Sequence, residues 1–414
     1  MSRRKRRSSA GRDVLIAGGG NSGTALAVAL AAADFNVTLI EPRPPAPSPD
    51  NADVGLRVSA LGPGSRHFLE RLRAWPENDR RGPTAYREMS VCDTTGLGDL
   101  TFHAHQHSLS ALGWIVDNQQ LQQQLWRAAA DAGVTLLGEH AVSGVQQNSR
   151  GVTVTLGDQR QLRADLLVAA DGARSPLRGL LGIEVNESDY GQRAVVCTVT
   201  TAAANPGIAW QRFLPGGPLA LLPVSEGRSS LVWSLPAEQA EDCLAQDEAA
   251  FSQQLSLAAD SPFGAVVHCG PRAAFPLSMM LAGRYVEQRC VLLGDAAHRV
   301  HPLAGQGLNL GLQDAAALAE LLIDAGGIPA EPQSLQRLLR RYERWRRSDD
   351  ELVIRGVDAI GRMLRGEGLL PRISALGMRT VDHFWPLKDV FLRWACGLGE
   401  QAPRGFRQAA VDDA

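Results

Sequence analysis

The residues best placed to do chemistry lie in one stretch, Cys290-Val291-Leu292-Leu293-Gly294-Asp295-Ala296-Ala297-His298, continuing through His301-Pro302-Leu303-Ala304-Gly305-Gln306-Gly307-Leu308-Asn309 to Asp314. The opening apolar run reads as a buried strand, Pro302, Gly305 and Gly307 mark a loop, and the Ala/Leu run beyond reads as a long helix. An Asp at the carboxyl end of such a strand can accept hydrogen bonds from ribose or ribityl hydroxyls. Glycines ahead of a helix let backbone N–H groups approach a ligand, and the positive helix end favours negative charge there. The combination suits an electron-rich cofactor ring. An ordinary capped loop is the alternative for this segment taken alone.

A second stretch supplies the other half of such a site. Val14-Leu15-Ile16-Ala17 reads as a buried strand, Gly18-Gly19-Gly20-Asn21-Ser22-Gly23 as a tight turn, Thr24 to Ala33 as an Ala-rich helix, and Phe35 to Ile40 as a strand ending in Glu41. The uncharged run Val14–Ala33 has the length of a membrane span, but its glycine turn argues for a dinucleotide unit. Gly18 makes the turn, Gly20 admits the pyrophosphate, Gly23 permits close helix–strand packing, and Glu41 is placed for adenosine ribose hydroxyls. A third turn, Asp171-Gly172-Ala173-Arg174-Ser175-Pro176, follows the strand-like Ala164–Ala170. It is either a plain Asp-Gly turn or a contact for the cofactor's second half. Arg57, in Leu56–Leu61, is either a solvated strand-edge charge or a group reaching a cofactor phosphate or ring.

These turns need a large scaffold. A chain of 414 residues is long enough for two or three subdomains, and 44% hydrophobic with 21% charged residues is globular composition. The formal net charge of -2 gives no case for nucleic acid. Six cysteines without a CxxC pair argue against a disulfide scaffold or structural zinc, and fit a reducing cytoplasm. Arg3-Arg4-Lys5-Arg6-Arg7 makes a poor signal peptide and reads as a disordered basic tail, with contact to anionic lipid as the alternative.

A Pro-rich loop over 42–55 precedes a helix from about Gly64 to Trp75, and Tyr86 to Phe102 reads as an excursion into another sheet. His103, His105 and His107 alternate, but without a nearby acid or Cys they read as a polar turn, and no metal is expected. Gly113–Asn118 leads into a helix from Gln119 to Ala132. Strands are expected at Val134–Leu137, Val152–Leu156 and Ala164–Ala170. Residues 185–280 alternate strand-like runs with turns and predict an antiparallel sheet, in which Trp210, Phe213, Leu221 and Pro223 are either a pocket wall or core. From Gln333 the chain is mostly helical, basic and amphipathic: a cap on the core, or a face for a membrane or partner subunit.

The order and spacing of Gly18-x-Gly20-x-x-Gly23, Asp171-Gly172 and Gly294-Asp295 resemble the three fingerprints of the single-component, FAD-dependent aromatic hydroxylases typified by para-hydroxybenzoate hydroxylase. Leu56–Ala60, Gly113–Asn118, Trp210–Pro215, Gly217–Pro223 and Gly294–Asp314 are similar to the ubiquinone-biosynthesis hydroxylases, and the resemblance spans about residues 13–399. It implies an α/β fold: a Rossmann-like FAD-binding domain over 13–80, 111–184 and 281–330, an inserted antiparallel substrate-binding sheet over 81–110 and 185–280, and a helical region over 331–414, after a tail at 1–12. It also implies FAD held by Gly18, Gly20, Asn21, Ser22, Gly23, Glu41, Arg57, Gln119, Asp171, Asp295, Gly305, Gly307, Leu308 and Asn309. Pro302, Gly305 and His301 are the implied catalytic group beside the isoalloxazine, with His298 either a proton-transfer aid or a structural donor. Departures from the family pattern are Asn21-Ser22 for an apolar pair, Ala170 for Gly, Arg299 for a small polar residue and Gln119 for Arg.

The implied reaction is hydroxylation of a polyprenylated phenol or quinol by O2 in ubiquinone biosynthesis, through a flavin C4a-hydroperoxide, with a slight preference for C5 of 2-polyprenylphenol. Electrons would come from NAD(P)H or from another donor, a reductase or ferredoxin. Implied partners are subunits of a ubiquinone-biosynthesis complex and a peripheral contact with the inner membrane from the cytoplasm. The alternatives are a hydroxylase of a soluble aromatic or secondary metabolite, and a flavin-bearing scaffold subunit without turnover.

Overall fold

The computed structural model describes residues 11–47, 54–76, 81–93, 100–300, 306–365, 399 and 401–407. A six-stranded sheet runs in the order Val286–Glu287, Cys290–Leu292, Leu166–Ala169, Asp13–Ala17, Asn36–Glu41, Thr135–Gly138. All its pairings are parallel except the edge hairpin Val286–Glu287 with Cys290–Leu292. Cys290–Leu292, Leu166–Ala169 and residues 14–17 of the first strand are buried throughout and read as unbroken apolar runs, as parallel strands covered on both faces do. The helices Asn21–Ala31, Asn118–Asp131 and Gly307–Asp324 contribute to the same core.

The sheet order places Asp13–Ala17 between Leu166–Ala169 and Asn36–Glu41, so the chain leaves its first strand on one side and returns on the other. Ligands bind open α/β sheets in the crevice at such a reversal, outside the carboxyl ends of the strands. Cross-strand bonds bring the ends of four adjacent strands into line there. The Gly18 N–H donates to Ile40 O (2.8 Å), Ala170 N–H to Ala17 O (2.7 Å) and Leu293 N–H to Ala169 O (3.0 Å).

A nine-stranded sheet gathers Glu88–Asp93, Leu100–His103, the strands from Val185 to Ala282, and His298–Arg299. All of its pairings are antiparallel but one: Ile208–Leu214 runs parallel to Glu88–Asp93. Its core includes the helices Ala237–Ala245 and Glu248–Ala259, where the sequence reading expected strands and turns. Asp247 caps the second of these by accepting from Ala250 N–H (2.8 Å). Trp210 and Leu221, cross-strand partners, are buried in this core. Two further strands, Val142–Asn148 and Gln161–Ala164, complete a meander around Gly151–Leu156. His103, His105 and His107 lie at a strand end and in the 3-10 turn Ala104–His107.

The helix Pro332–Arg365 carries the expected C-terminal helical character. The remaining apolar residues read there, Leu369 through Trp394, lie outside the described residues. Among the described residues, no helix is long and apolar enough to cross a membrane.

Candidate functional site

The first turn is fixed by what surrounds its glycines. Gly18 has φ +113°, and a Cβ there would lie 2.1 Å from Ala170 O. A Cβ on Gly23 would lie 2.2 Å from Gly18 O. Gly20 differs: it is the extended N-cap of the helix Asn21–Ala31, makes no side-chain cap, and a Cβ on it would meet nothing within 4 Å. Open space in front of uncapped helical N–H groups is what a pyrophosphate requires.

Glu41 closes this turn from the next strand, accepting from Gly19 N–H (2.6 Å) and Arg43 N–H (2.9 Å). Each carboxylate oxygen keeps acceptor capacity for a ribose hydroxyl. The Gly19 carbonyl accepts from Gln122 Nε2 and Trp126 Nε1, both at 2.8 Å, so the helix Asn118–Asp131 grips the loop from outside. Sequence reasoning missed both donors. Their signal, a Gln and a Trp one turn apart on a helix facing the glycine loop, appears only once the helix is docked.

At the second turn, Asp171 Oδ2 accepts from Leu177 N–H (3.1 Å), while Oδ1 is buried with no partner among the described residues. Burial raises its pKa above the usual carboxylate range, opposed by hydrogen bonds from Ser175 and Leu177. Arg178, also missed from sequence, ties the second turn to the third by donating to Ala173 O (3.0 Å) and Ala296 O (2.9 Å).

The third turn is a 3-10 turn, Gly294–Ala296, with Gly294 at φ +60°. Asp295 is solvent-accessible, yet burial among the surrounding walls raises its pKa, against the opposing charges of His298, Arg57 and Arg299. An accessible carboxylate hemmed in by protein is a group on the wall of a concave cleft. Arg57, exposed, stacks over Phe275 of the inserted sheet, with Cζ 4.9 Å from the ring centroid. Its backbone carbonyl accepts from Asn118 N–H (3.1 Å). Asp117 holds the same region by accepting from Gly55, Gln119 and Gln120 N–H groups and pairing with Arg81 (3.1 Å).

Behind the third turn lies a fully buried ionic cluster. His298 Nε2 is 2.7 Å from Asp314 Oδ2, and Arg346 Nε donates to Asp314 Oδ1 (2.7 Å). Burial alone would lower the His298 pKa, but Asp350 and Asp314 raise it to about 9. Ligand atoms of His298, Asp314 and Asp350 lie within 4.8 Å of one another, but Arg346 donates to both carboxylates and already supplies the compensating cation. His298 is thus turned inward, into this cluster.

The structure brings Gly18, Gly20, Gly23, Glu41, Asp171 and Asp295 to the ends of adjacent strands, while Arg57 precedes Val58–Leu61, a strand of a separate three-stranded sheet. Ser22 packs between Gly294 and Gly311, whose added Cβ would lie 2.3 Å from Ser22 Oγ, so it serves the crossing of two helices. Asn21 Nδ2 reaches Asn118 O (3.5 Å), leaving Oδ1 buried with no partner among the described residues. The Asn309 side chain is spent on protein: Oδ1 accepts from Gly62 N–H (3.0 Å) and Ser65 Oγ (2.7 Å), and Nδ2 donates to Ala60 O (2.8 Å). Gln119 is exposed at the first turn of its helix, and Leu308 packs against the core. Gly307 starts the helix Gly307–Asp324, with open space at its Cβ position. His301, Pro302 and Gly305 lie outside the described residues.

The open cradle at Gly20, the orphaned acceptors of Asn21 and Asp171, and accessible Asp295 together fit FAD, an elongated ligand with anionic phosphates and a row of hydroxyl donors. Comparison with known proteins agrees. A family model described as "FAD binding domain" matches residues 12–355. Ubiquinone hydroxylase UbiL of Rhodospirillum rubrum is 36% identical over 402 residues, covering 95% of this chain and 92% of that protein. The 3-demethoxyubiquinol 3-hydroxylase of Escherichia coli (strain K12) is 32% identical over 390 residues, covering 93% and 98%. Among solved structures, PqsL of P. aeruginosa in complex with 2-aminobenzoylacetate superposes with a TM-score of 0.72 at 26% identity, covering 89% of this chain and 99% of that one. This chain is an FAD-dependent monooxygenase and belongs to the family of the ubiquinone-biosynthesis FAD-dependent hydroxylases.

Proposed function

We propose that this protein hydroxylates the ring of a polyprenylated phenol or quinol intermediate in ubiquinone biosynthesis, with C5 of 2-polyprenylphenol the preferred position. NAD(P)H supplies the electrons. The observation that carries the reading is the convergence of three turns at the carboxyl ends of adjacent parallel strands, beneath the edge of an inserted sheet. The substrate class is supported by the names of the relatives, a ubiquinone hydroxylase and a demethoxyubiquinol hydroxylase.

Bound FAD supplies the activation of O2, and the chain supplies binding and shape. The N-terminus of the helix Asn21–Ala31 receives the pyrophosphate, Glu41 the adenosine ribose, and Asp295 the ribityl hydroxyls. Asp171 offers its unpartnered oxygen on the same wall. Arg57 places a positive charge near Asp295 and over the Phe275 ring of the inserted sheet. The backbone at Gly307, Leu308 and Asn309 presents the first N–H groups of a helix to the cofactor ring. Pro302, Gly305 and His301 keep the catalytic role that the family resemblance implies.

The protein works at the cytoplasmic face of the inner membrane, where its substrate's tail resides, in contact with other subunits of the pathway. The basic helix Pro332–Arg365 is the assigned surface for that contact. The test is product formation by purified holoprotein offered NAD(P)H, O2 and either tailed or tail-free phenols, with the ring position read by mass spectrometry. Turnover of the tailed phenol supports the reading. Turnover confined to tail-free aromatics assigns a soluble substrate instead, and flavin without turnover assigns a scaffold role.

A further inference from the structure

The buried cluster behind Asp295 does more than neutralise itself. Asp314 Oδ2 accepts from Gly294 N–H (3.0 Å) and lies 2.7 Å from His298 Nε2, so one carboxylate oxygen holds both flanks of the turn that carries Asp295. The other oxygen is held by Arg346 Nε (2.7 Å), from the helix Pro332–Arg365. Arg346 also donates to Asp349 Oδ2 (2.8 Å) and Asp350 Oδ1 (3.3 Å). Asp350 Oδ2 in turn accepts from Tyr285 O–H (2.8 Å) and lies 3.5 Å from His298 Nε2. From the same helix, Tyr342 O–H donates to Leu292 O (3.2 Å), on the strand that feeds the turn.

His298, Asp314, Arg346 and Asp350 are each at most 1% exposed. A buried ion network seldom improves stability over apolar residues of similar volume, and its best-attested return is one defined geometry. The geometry defined here is that of the Gly294–Ala297 turn, whose Asp295 side chain is accessible in the cleft while its flanks are bonded inward.

We propose that Arg346 and His298 are positioning residues for FAD: through Asp314, the helix Pro332–Arg365 sets the turn that presents Asp295 to the cofactor. This rests on the reading that Asp295 receives the ribityl chain. FAD affinity thereby depends on a helix behind the turn, in the region expected from sequence to cap the core or face a partner.

The experiment compares apoprotein of the wild type with Arg346→Met, Arg346→Lys, His298→Gln and, as a control on the exposed face of the same helix, Arg355→Gln. FAD affinity is measured by titration, apoprotein melting temperature by scanning, and flavin geometry by visible circular dichroism at saturating FAD. Arg346→Met is expected to weaken FAD about tenfold and alter the dichroism. Arg346→Lys restores part of both, His298→Gln shows a smaller loss in the same direction, and Arg355→Gln matches wild type. Lowered apoprotein stability with unchanged affinity and dichroism overturns the proposal. Should Arg346→Met fail to fold, His298→Gln decides by the same two readouts. Failure of wild-type apoprotein to take up FAD overturns the cofactor reading itself, a separate result.

Discussion

Gly18 abuts the backbone of Ala170: a Cβ on Gly18 would lie 2.1 Å from the Ala170 carbonyl oxygen. The first and second turns are therefore packed backbone to backbone, while Gly20, two residues on, faces open space. The two glycines should separate stability from binding. Gly18→Ala, clashing and at positive φ, is expected to cost about 3 kcal/mol or more of stability. Gly20→Ala, at an ordinary extended N-cap, should change stability by less than about 1 kcal/mol yet weaken FAD strongly. Thermal melts of the apoproteins beside FAD titrations check this, and a Gly20→Ala protein that binds FAD normally would remove the pyrophosphate from this turn.

Asp295→Ala deletes an accessible carboxylate with no side-chain bond of its own among those described. Apoprotein stability should hold, while the loss of charged hydrogen bonds to ribityl hydroxyls, about 1.5–3 kcal/mol, weakens FAD roughly 10- to 100-fold. Fluorescence titration of apoprotein with FAD and with FMN, which share the ribityl chain, should show the loss for both.

Trp126→Phe keeps the ring packing and removes one of two donors to Gly19 O. With Gln122 still in place, the expected cost is about 1 kcal/mol, seen as a several-fold loss of FAD affinity. An unchanged titration would show that the helix Asn118–Asp131 does not hold the loop for binding.

The buried imidazolium makes stability pH-dependent. The folded His298 pKa of about 9 stands above its ordinary 6.5, so its contribution is fully present below 6.5 and lost as pH rises through about 9. Asp350, raised by burial to about 6, adds a loss of the same sign at lower pH, between 3.8 and 6. The groups facing His298 are Asp350, Asp314 and Asp295, with Tyr285 and Arg346 completing the cluster. The melting temperature should fall between pH 7 and about 10, and His298→Gln should flatten that slope. An equal slope in the variant would assign the loss to other groups.

The dinucleotide unit was legible because its logic is local: strand, glycine turn, helix, strand and acid occupy residues 13–41 in one run. Asp295 was legible for the same reason, standing where a buried strand ends. The cluster behind it was not, because Asp314 and Arg346 are 32 residues apart and meet only when two helices pack. The partners of the Asn309 side chain were equally hidden: its amide bonds Gly62, Ser65 and Ala60, about 245 positions away, while its backbone N–H lies in the first turn of the helix Gly307–Asp324. The helices Ala237–Ala245 and Glu248–Ala259 escaped notice because their apolar residues sit among strand-like neighbours, although Asp247 offered a capping signal.

The most direct test is the identity of the small molecule that accompanies gently purified protein, read from its visible spectrum and from the nucleotide released on denaturation. The structure predicts a yellow protein that releases stoichiometric FAD, and a colourless apoprotein that regains colour when FAD is added. A protein that is colourless as isolated and takes up no flavin when offered it would contradict the assignment of the three turns to one cofactor.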